Sequence, residues 1–330
     1  MCIRDSHNLG AWTHLNVVDV LVEELFKEAE QRDAYVFSTD FSAYDQTIGP
    51  ELMRAGFEVL MHMYQPGSDS DTLLELRDHI SNIELMVQLD AVLTGTHGMP
   101  SGSVFTNFID TVVHMIAGRY AARRNATVLG SYCQFQGDDG LWIGQGVHDV
   151  SDLTDAYTEL GLSANPTKQF VGKQDCLYLQ RYHIRGTIGG MYPTYRALNK
   201  LMGSERFHSP SVWGPDMVVL RSIMILENVK WHPLWKQLVD FTVAGDERYA
   251  LGLLWPGGLD SLLFESDVLT RAGKSGVVGS YSQGSDFITG IRKFRTYEYL
   301  KEISEAPKPV SYTHLRAHED RTRSRMPSSA

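Results

Sequence analysis

The sequence predicts an α+β fold, a small sheet with helices followed by a mainly helical C-terminal lobe. Three observations predict it. Short apolar runs bounded by turn residues stand at 34–39, 132–136 and 141–144, among segments with helical apolar spacing at 17–31, 50–64 and 103–124. Two acidic residues lie between glycines in Gly137-Asp138-Asp139-Gly140, which joins the second and third runs as a hairpin. From about 194 to 305 the pattern is helical, with breakers at Pro210, Pro215, Pro233 and Pro256-Gly257-Gly258.

The elements follow in order. Val17, Val20, Leu21 and Leu25 make one helix face, with Asn16 as its N-cap. Ala34-Tyr35-Val36-Phe37-Ser38-Thr39 reads as a buried strand. Pro50 opens an amphipathic helix, and a second follows near 71–83. Residues 84–94 alternate as a strand pair turning at Leu89-Asp90. Gly98-Met99-Pro100-Ser101-Gly102 is a loop leading into helix 103–124. Asp149 or Ser151 caps a helix that ends near Gly161. Strands are expected at 168–171, 176–184 and 187–192.

Composition excludes several classes. The chain has 330 residues, 43% hydrophobic and 21% charged, which is the balance of a globular protein and not of a disordered one. No apolar run approaches membrane-spanning length, and no secretory leader opens the chain. Three cysteines (Cys2, Cys133, Cys176) make neither a disulfide scaffold nor a zinc spacing, and a reducing compartment is expected. Cys133 and Cys176 read as small core residues, His114 as a core or helix-packing residue, and Trp213, Trp231, Trp235 and Trp255 as core of the C-terminal lobe. The net charge of −10 taken alone argues against a nucleic-acid partner.

The two ends read as foreign. Met1-Cys2-Ile3-Arg4-Asp5-Ser6, and the stretch from Val310 through Ser311-Tyr312-Thr313-His314-Leu315 to Ala330, resemble translated sequencing adapters. The competing reading of the second is a disordered tail whose Arg321, Arg323 and Arg325 touch nucleic acid. Both ends are set aside, and the protein is expected to extend beyond them.

Asp40 closes the first strand, with Asp45 five residues on, and Asp138-Asp139 occupies the hairpin tip. Carboxylates at a strand end and on a tight turn can meet at one point as hard oxygen donors, the ligands that Mg²⁺ takes while keeping waters and substrate phosphates. Flanking glycines allow the sharp turn and the approach of a nucleic-acid end. Taken alone, Asp-Asp-Gly is an ordinary solvated turn.

The order of the remaining elements decides between these readings. Ser38–Asp45, Gly98–Thr111 and Gln136–Gly140 resemble motifs A, B and C of viral RNA-dependent RNA polymerases. Lys168 in Asn165-Pro166-Thr167-Lys168 resembles the motif D lysine, and Tyr178-Leu179-Gln180-Arg181 the aromatic-Leu-x-Arg of motif E. The set runs from Ser38 to Tyr182 and is most similar to picobirnavirus and partitivirus polymerases, which copy double-stranded RNA genomes.

The resemblance implies a right-hand polymerase with an RRM-like antiparallel palm sheet and a mainly helical thumb, its fingers largely missing. Residues 7–33 would be a remnant of the fingers, 34–49 palm, 50–97 a fingers or palm insertion, 98–193 palm and 194–309 thumb. Asp40, Asp138 and Asp139 would hold two Mg²⁺ ions, with Mn²⁺ able to substitute. Asp45 and Asn107, with Ser101, Gly102 and Thr106 around them, would meet the hydroxyls of the incoming ribose. Lys168 would protonate pyrophosphate, against the plain reading of a solvated lysine. Arg181 either clamps the primer strand or pairs with a surface carboxylate. Arg119, Arg123 and Arg124 reach template phosphates or answer the helix dipole, and the dipole is preferred. Arg292-Lys293-Phe294-Arg295 would line the duplex exit.

Implied partners are an RNA template, nascent RNA, NTPs and a viral capsid protein, in the host cytoplasm inside the particle. A missing basic fingers region would explain the acidic balance and would leave the isolated chain weakly active. A reverse transcriptase shares the palm but usually has aromatics at the positions of Gln136 and Asp45. A non-catalytic RNA-binding palm would not need both acidic motifs intact. A two-carboxylate hydrolase leaves the Ser-Gly…Thr-Asn helix unexplained.

Overall fold

Alternation along one central strand, β1, divides the molecule into two cores. The computed structural model describes residues 15–64, 70–146, 150–203, 209, 213–274 and 287–305. The adapter-like ends, Asp149 and Pro210 lie outside them.

Helix α1 (Leu15–Gln31) leads into β1 (Tyr35–Thr39), a single turn α2 (Tyr44–Thr47), and the helices α3 (Pro50–Met61) and α4 (Ser70–Ser81). A hairpin β2 (Leu85–Gln88) and β3 (Ala91–Leu93) follows, then the long helix α5 (Thr106–Arg124). β4 (Gln134–Gln136) and β5 (Asp139–Gly144) form the acidic hairpin, followed by α6 (Val150–Glu159), β6 (Phe170–Gly172), β7 (Asp175–Tyr178) and β8 (Arg181–Ile184). The rest is helical: α7 (Thr194–Met202), α8 (Pro215–Asn228), α9 (Trp235–Gly245), α10 (Gly258–Asp260), α11 (Val268–Lys274), α12 (Phe287–Arg292) and α13 (Arg295–Glu305).

The main sheet is four-stranded and antiparallel, in the order β4-β5-β1-β6. β1 and β5 pair in the register Val36↔Ile143, Phe37↔Trp142 and Thr39↔Gly140. Because side chains alternate along a strand, Val36, Leu141 and Ile143 face one core, with α1 and the C-terminal helices. Phe37, Phe135 and Trp142 face the other, with α3, α5 and α6. The segment expected as a remnant of the fingers, α1, is thus built into the same core as the C-terminal lobe. Asn16 stands inside α1 and accepts a bond from Lys230 Nζ at 2.6 Å instead of capping the helix.

Several boundaries differ from the expected ones for local reasons. Helix α5 begins at Thr106, because Gly102 takes a left-handed φ of +92° and the chain turns once more before the helix starts. The expected strand 176–184 is two strands. Leu179 and Gln180 both have positive φ, +50° and +60°, and turn the chain back with Tyr178 paired to Arg181. The expected strand 187–192 is reduced to a bridge between Tyr182 and Met191. Residues 166–168 form a turn of 3₁₀ helix before β6.

One buried network ties α1 to the β7–β8 hairpin and the C-terminal lobe. Arg181 and Asp19 are each 1% exposed and form an ion pair at 2.9 Å. Asp19 also accepts from the Gly190 amide at 3.1 Å and the Trp231 indole at 3.0 Å, while Arg181 donates to the Asn228 carbonyl at 3.1 Å. A second buried acid, Glu227, accepts from the amide and hydroxyl of Thr296 and from Lys230. Trp235 is buried, but Trp231 is part-exposed, held by its bond to Asp19. Cys133 and Cys176 are buried core residues, as expected.

Candidate nucleotidyl-transfer site

β1 ends at Thr39, so Asp40 leaves the sheet beside the β4–β5 hairpin. That hairpin turns on Gly137, at φ +58°, and Asp138, with Gln136 paired to Asp139. Asp138 is exposed at the tip, while Asp139 and Asp40 are half-buried. Desolvation, then the charges of Asp138 and Asp40, push the Asp139 carboxyl up to about 7, with Lys168 opposing. Asp138 is raised as well, by desolvation first and then by Asp40 and Asp45.

α5 fixes the hairpin tip. Thr111 Oγ1 accepts from the Gly137 amide at 2.9 Å and donates to the Asn107 carbonyl at 2.6 Å. His114, buried without exposure, holds the tip from the other side. Its Nδ1 lies 3.0 Å from the Gly137 carbonyl, which can only accept, so Nδ1 carries the proton and Nε2 accepts from the Thr39 hydroxyl at 3.0 Å. One neutral imidazole thus couples the end of β1 to the acidic turn. Burial pushes His114 down to about 4 from 6.5. A lowered folded pKa contributes stability above 6.5 that is lost as the pH falls toward 4. His183, lowered to about 4 by burial, adds to the same loss. Replacing His114 by Asn keeps the donor to Gly137 and removes the titration. Thermal unfolding followed from neutral to acid pH should therefore fall less steeply in His114→Asn than in the parent.

Gly140 is required by this arrangement. A Cβ there would lie 2.4 Å from Thr39 Oγ1 and 2.5 Å from His114 Cε1. Gly140→Ala should therefore cost about 1–3 kcal/mol, read as a lower urea midpoint. An unchanged midpoint would contradict the packing described.

The acidic turn opens on a cavity of about 730 Å³. Asp45, Ser101, Gly102, Thr106, Asn107, Asp138 and Lys168 line it, so seven of the expected site residues converge there. The loop 98–102 is held against α2, because the Met99 amide donates to the Asp45 carbonyl at 2.7 Å and Ser101 Oγ donates to Asp45 Oδ2. Thr106 Oγ1 is turned back onto the Pro100 carbonyl at 2.8 Å, so it braces the loop. Lys168 Nζ lies 3.3 Å from Asp40 Oδ1 at the cavity edge.

Arg181 is not at this site. It lies buried in the cross-link to Asp19, so it neither meets a strand at the surface nor pairs with a surface carboxylate. Arg124 is bound to Glu159 of α6 at 2.9 Å. Arg292 stacks on Phe264 at 4.2 Å and Arg295 on Trp235 at 4.5 Å, so both guanidinium groups of that basic cluster engage internal aromatic rings.

Three further residues shape the site without a sequence signal of their own. Gln169 brackets the main chain of Asp40, donating from Nε2 to its carbonyl and facing its amide at 3.4 Å with Oε1. Thr111 holds Gly137, as above. Asp110, one turn beyond Asn107, is 4% exposed on the cavity wall. Burial, then the charge and hydrogen bond of Asp45 and the charge of Asp138, push its carboxyl up to about 8.

The donor set suits a hard divalent cation. Asp40, Asp138 and Asp139 offer carboxylate oxygens, and desolvation first, then neighbouring negative charge, raises the hairpin pair, which a bound cation would offset. Among the described residues no three acidic, His or Cys side chains are grouped as a ready metal cage.

Comparison with known proteins agrees with this geometry. Residues 14–185 match the family profile described as viral RNA-dependent RNA polymerase. The chain is 37% identical over 261 residues to a potential RNA-dependent RNA polymerase of human picobirnavirus, covering 78% of this chain and 48% of the relative. It is 34% identical over 87 residues to the RNA-directed RNA polymerase of Cryptosporidium parvum virus 1, covering 26% of this chain and 16% of the relative. The crystal structure of a human picobirnavirus RNA-dependent RNA polymerase superposes with a TM-score of 0.77 at 34% identity, over 90% of this chain and 56% of that one. The chain therefore spans about half the length of these picobirnavirus relatives. Among the described residues no helix is long and apolar enough to cross a membrane. The ordered acidic strand end, Ser-Gly loop and acidic hairpin, with a profile match over half the sequence, establish that this chain belongs to the viral RNA-dependent RNA polymerases.

Proposed function

We propose that this chain carries the nucleotidyl-transfer centre of an RNA polymerase that copies an RNA template, extending an RNA 3′-hydroxyl with NTPs. The observation that carries this reading is the convergence of Asp45, Asp138, Lys168 and residues of the 101–107 segment on one cavity, with Asp40 beside it against Lys168. The four-stranded sheet with α5 corresponds to a palm and the helices after residue 194 to a thumb. Two Mg²⁺ ions, when bound, would activate the attacking hydroxyl and stabilise the leaving pyrophosphate.

The protein's own groups do the rest. Asp40, Asp138 and Asp139 would hold the metals, on a turn that Thr111 and His114 keep from moving. Asp45 and Asn107 would accept and donate to the ribose hydroxyls; a deoxyribose would leave the Asp45 carboxylate one hydrogen bond short. Lys168 is the one cationic side chain lining the cavity among the described residues, so it would hold the proton delivered to pyrophosphate. A double-stranded RNA genome, a capsid partner and a place inside the particle in the host cytoplasm follow from the picobirnavirus likeness and belong to the same proposal.

The test is incorporation of rNTPs against dNTPs on an RNA template with Mg²⁺, by the longest form of the protein that can be recovered. Preferential rNTP incorporation supports the reading. Preferential dNTP incorporation would replace it with reverse transcription.

A further inference from the structure

His97 stands at the root of the loop 98–102 with both ring nitrogens against main-chain carbonyls. Nδ1 lies 2.6 Å from the Gly98 oxygen and Nε2 2.7 Å from the Ile83 oxygen. A carbonyl only accepts, so a neutral ring, with one N–H, bonds one of the two and turns a lone pair on the other. An imidazolium, with two N–H groups, bonds both. His114 is the contrasting case: one of its partners is the Thr39 hydroxyl, and the neutral ring satisfies both.

His97 also closes the neck of the β2–β3 hairpin. Its amide donates to the Ser81 carbonyl at the end of α4 at 3.2 Å, and the Ser81 hydroxyl donates to Met53 Sδ of α3 at 3.0 Å. On the other side the chain is pressed onto α2. A Cβ on Gly98 would lie 2.8 Å from Gln46 Cα and closer still to the Asp45 carbonyl oxygen, which accepts from the next amide, Met99. Gly98 is thus held between His97 and Asp45, and Ser101, further along the loop, donates to the Asp45 carboxylate.

We propose that His97 is a positioning residue for the nucleotide pocket: as an imidazolium it donates to Gly98 and Ile83 at once and clamps the root of the loop that carries Ser101 and Gly102 to the cavity. The inference rests on the polymerase reading above, in which that loop meets the ribose.

Histidine takes up its second proton in the physiological range. The ring is part-exposed and exchanges protons with solvent. The clamp is therefore complete on the acid side of that range and one bond short on the basic side. The titratable groups on the elements that His97 touches are Arg77, Asp78 and His79 near the end of α4, Glu84 beside Ile83, and Asp45 on α2. Arg77 pairs with Asp78 at 2.7 Å, and Asp45 accepts from Ser101. The set is acidic on balance, so it attracts a cation.

The test uses the chain as it stands with His97→Gln and His97→Ala, each first checked for a cooperative thermal transition. The Met99 amide, bonded to Asp45, reports the root of the loop. Its hydrogen-exchange protection factor, corrected for the intrinsic pH dependence of exchange, should fall about fivefold in the parent between about pH 6 and about pH 8. In both variants it should be equal at the two pH values, because the titrating ring has gone. If His97→Gln does not fold, His97→Ala supplies the comparison. A parent protection factor that does not change over this range overturns the proposal. So does one that falls equally in the variants, since another group then titrates. Equilibrium binding of ATP with Mg²⁺ at about pH 6 reads the role in the site. His97→Ala should bind about fivefold more weakly than the parent, and His97→Gln, which keeps N–H donors at that position, should restore most of the affinity. An affinity in His97→Ala equal to the parent's overturns the role. A parent whose Met99 protection changes as expected but which binds no ATP refutes the polymerase reading of the cavity, and with it the purpose assigned to the clamp.

Discussion

Asp138→Asn should abolish metal-dependent RNA synthesis, with a loss on the order of a thousandfold or more. The substitution keeps the size of the side chain and its place on the hairpin tip. It removes one negative oxygen donor and the Asp138 charge that, after desolvation, helps to raise Asp139. Folding should be unaffected, because Asp138 is exposed and the turn is held by Gly137, Thr111 and His114. Thermal stability without metal should be equal to the parent's or slightly higher, since a negative charge beside Asp40 has gone. A variant with near-parent rates, or one that is merely unfolded, would sink the assignment of Asp138 as a metal ligand.

Asp19→Ala should be the most destabilising single change among the polar residues, at about 3–5 kcal/mol. It strands the Arg181 guanidinium, 1% exposed, and frees the Gly190 amide and the Trp231 indole at the same time. The pair itself is a different quantity from the cost of breaking it. Exchanging both charges for apolar side chains of similar volume, as in Asp19→Leu with Arg181→Met, should cost much less than Asp19→Ala alone. Chemical denaturation of the three proteins checks this. A double variant as unstable as the single would mean that the ion pair is itself the stabilising element.

How much of this was legible follows from where each signal lies along the chain. Asp40 and the Asp138-Asp139 turn were readable because a strand ending in a carboxylate and a glycine-flanked acidic hairpin are local patterns. The Ser101–Asn107 segment was readable for the same reason, and Asp138, Ser101, Gly102, Thr106 and Asn107 meet at the cavity, with Asp40 beside it against Lys168. The Leu179-Gln180 turn was not, because positive φ usually announces itself as Gly or Asn, and here two ordinary residues adopt it under the pull of strand pairing. Arg181 was misread because its partner lies 162 residues earlier, in a helix assigned to another part of the molecule. Sequence offers an arginine only as a surface charge until the fold supplies a buried carboxylate. Asp110 was missed because an acidic residue in a helix resembles any solvated position. Only packing against Tyr44 and Asp45 shows that it faces the cavity wall. Gln169 likewise gained its role from the approach of 165–169 to the end of β1, which no spacing foretells.

The central claim is that the acidic strand end and the acidic hairpin form one divalent-cation centre. The most direct measurement is anomalous scattering from crystals of this chain soaked with Mn²⁺ and a nucleotide. The account predicts manganese between the carboxylates of Asp40 and Asp138, lost in Asp138→Asn. Manganese bound elsewhere, or still bound there in that variant, would contradict it.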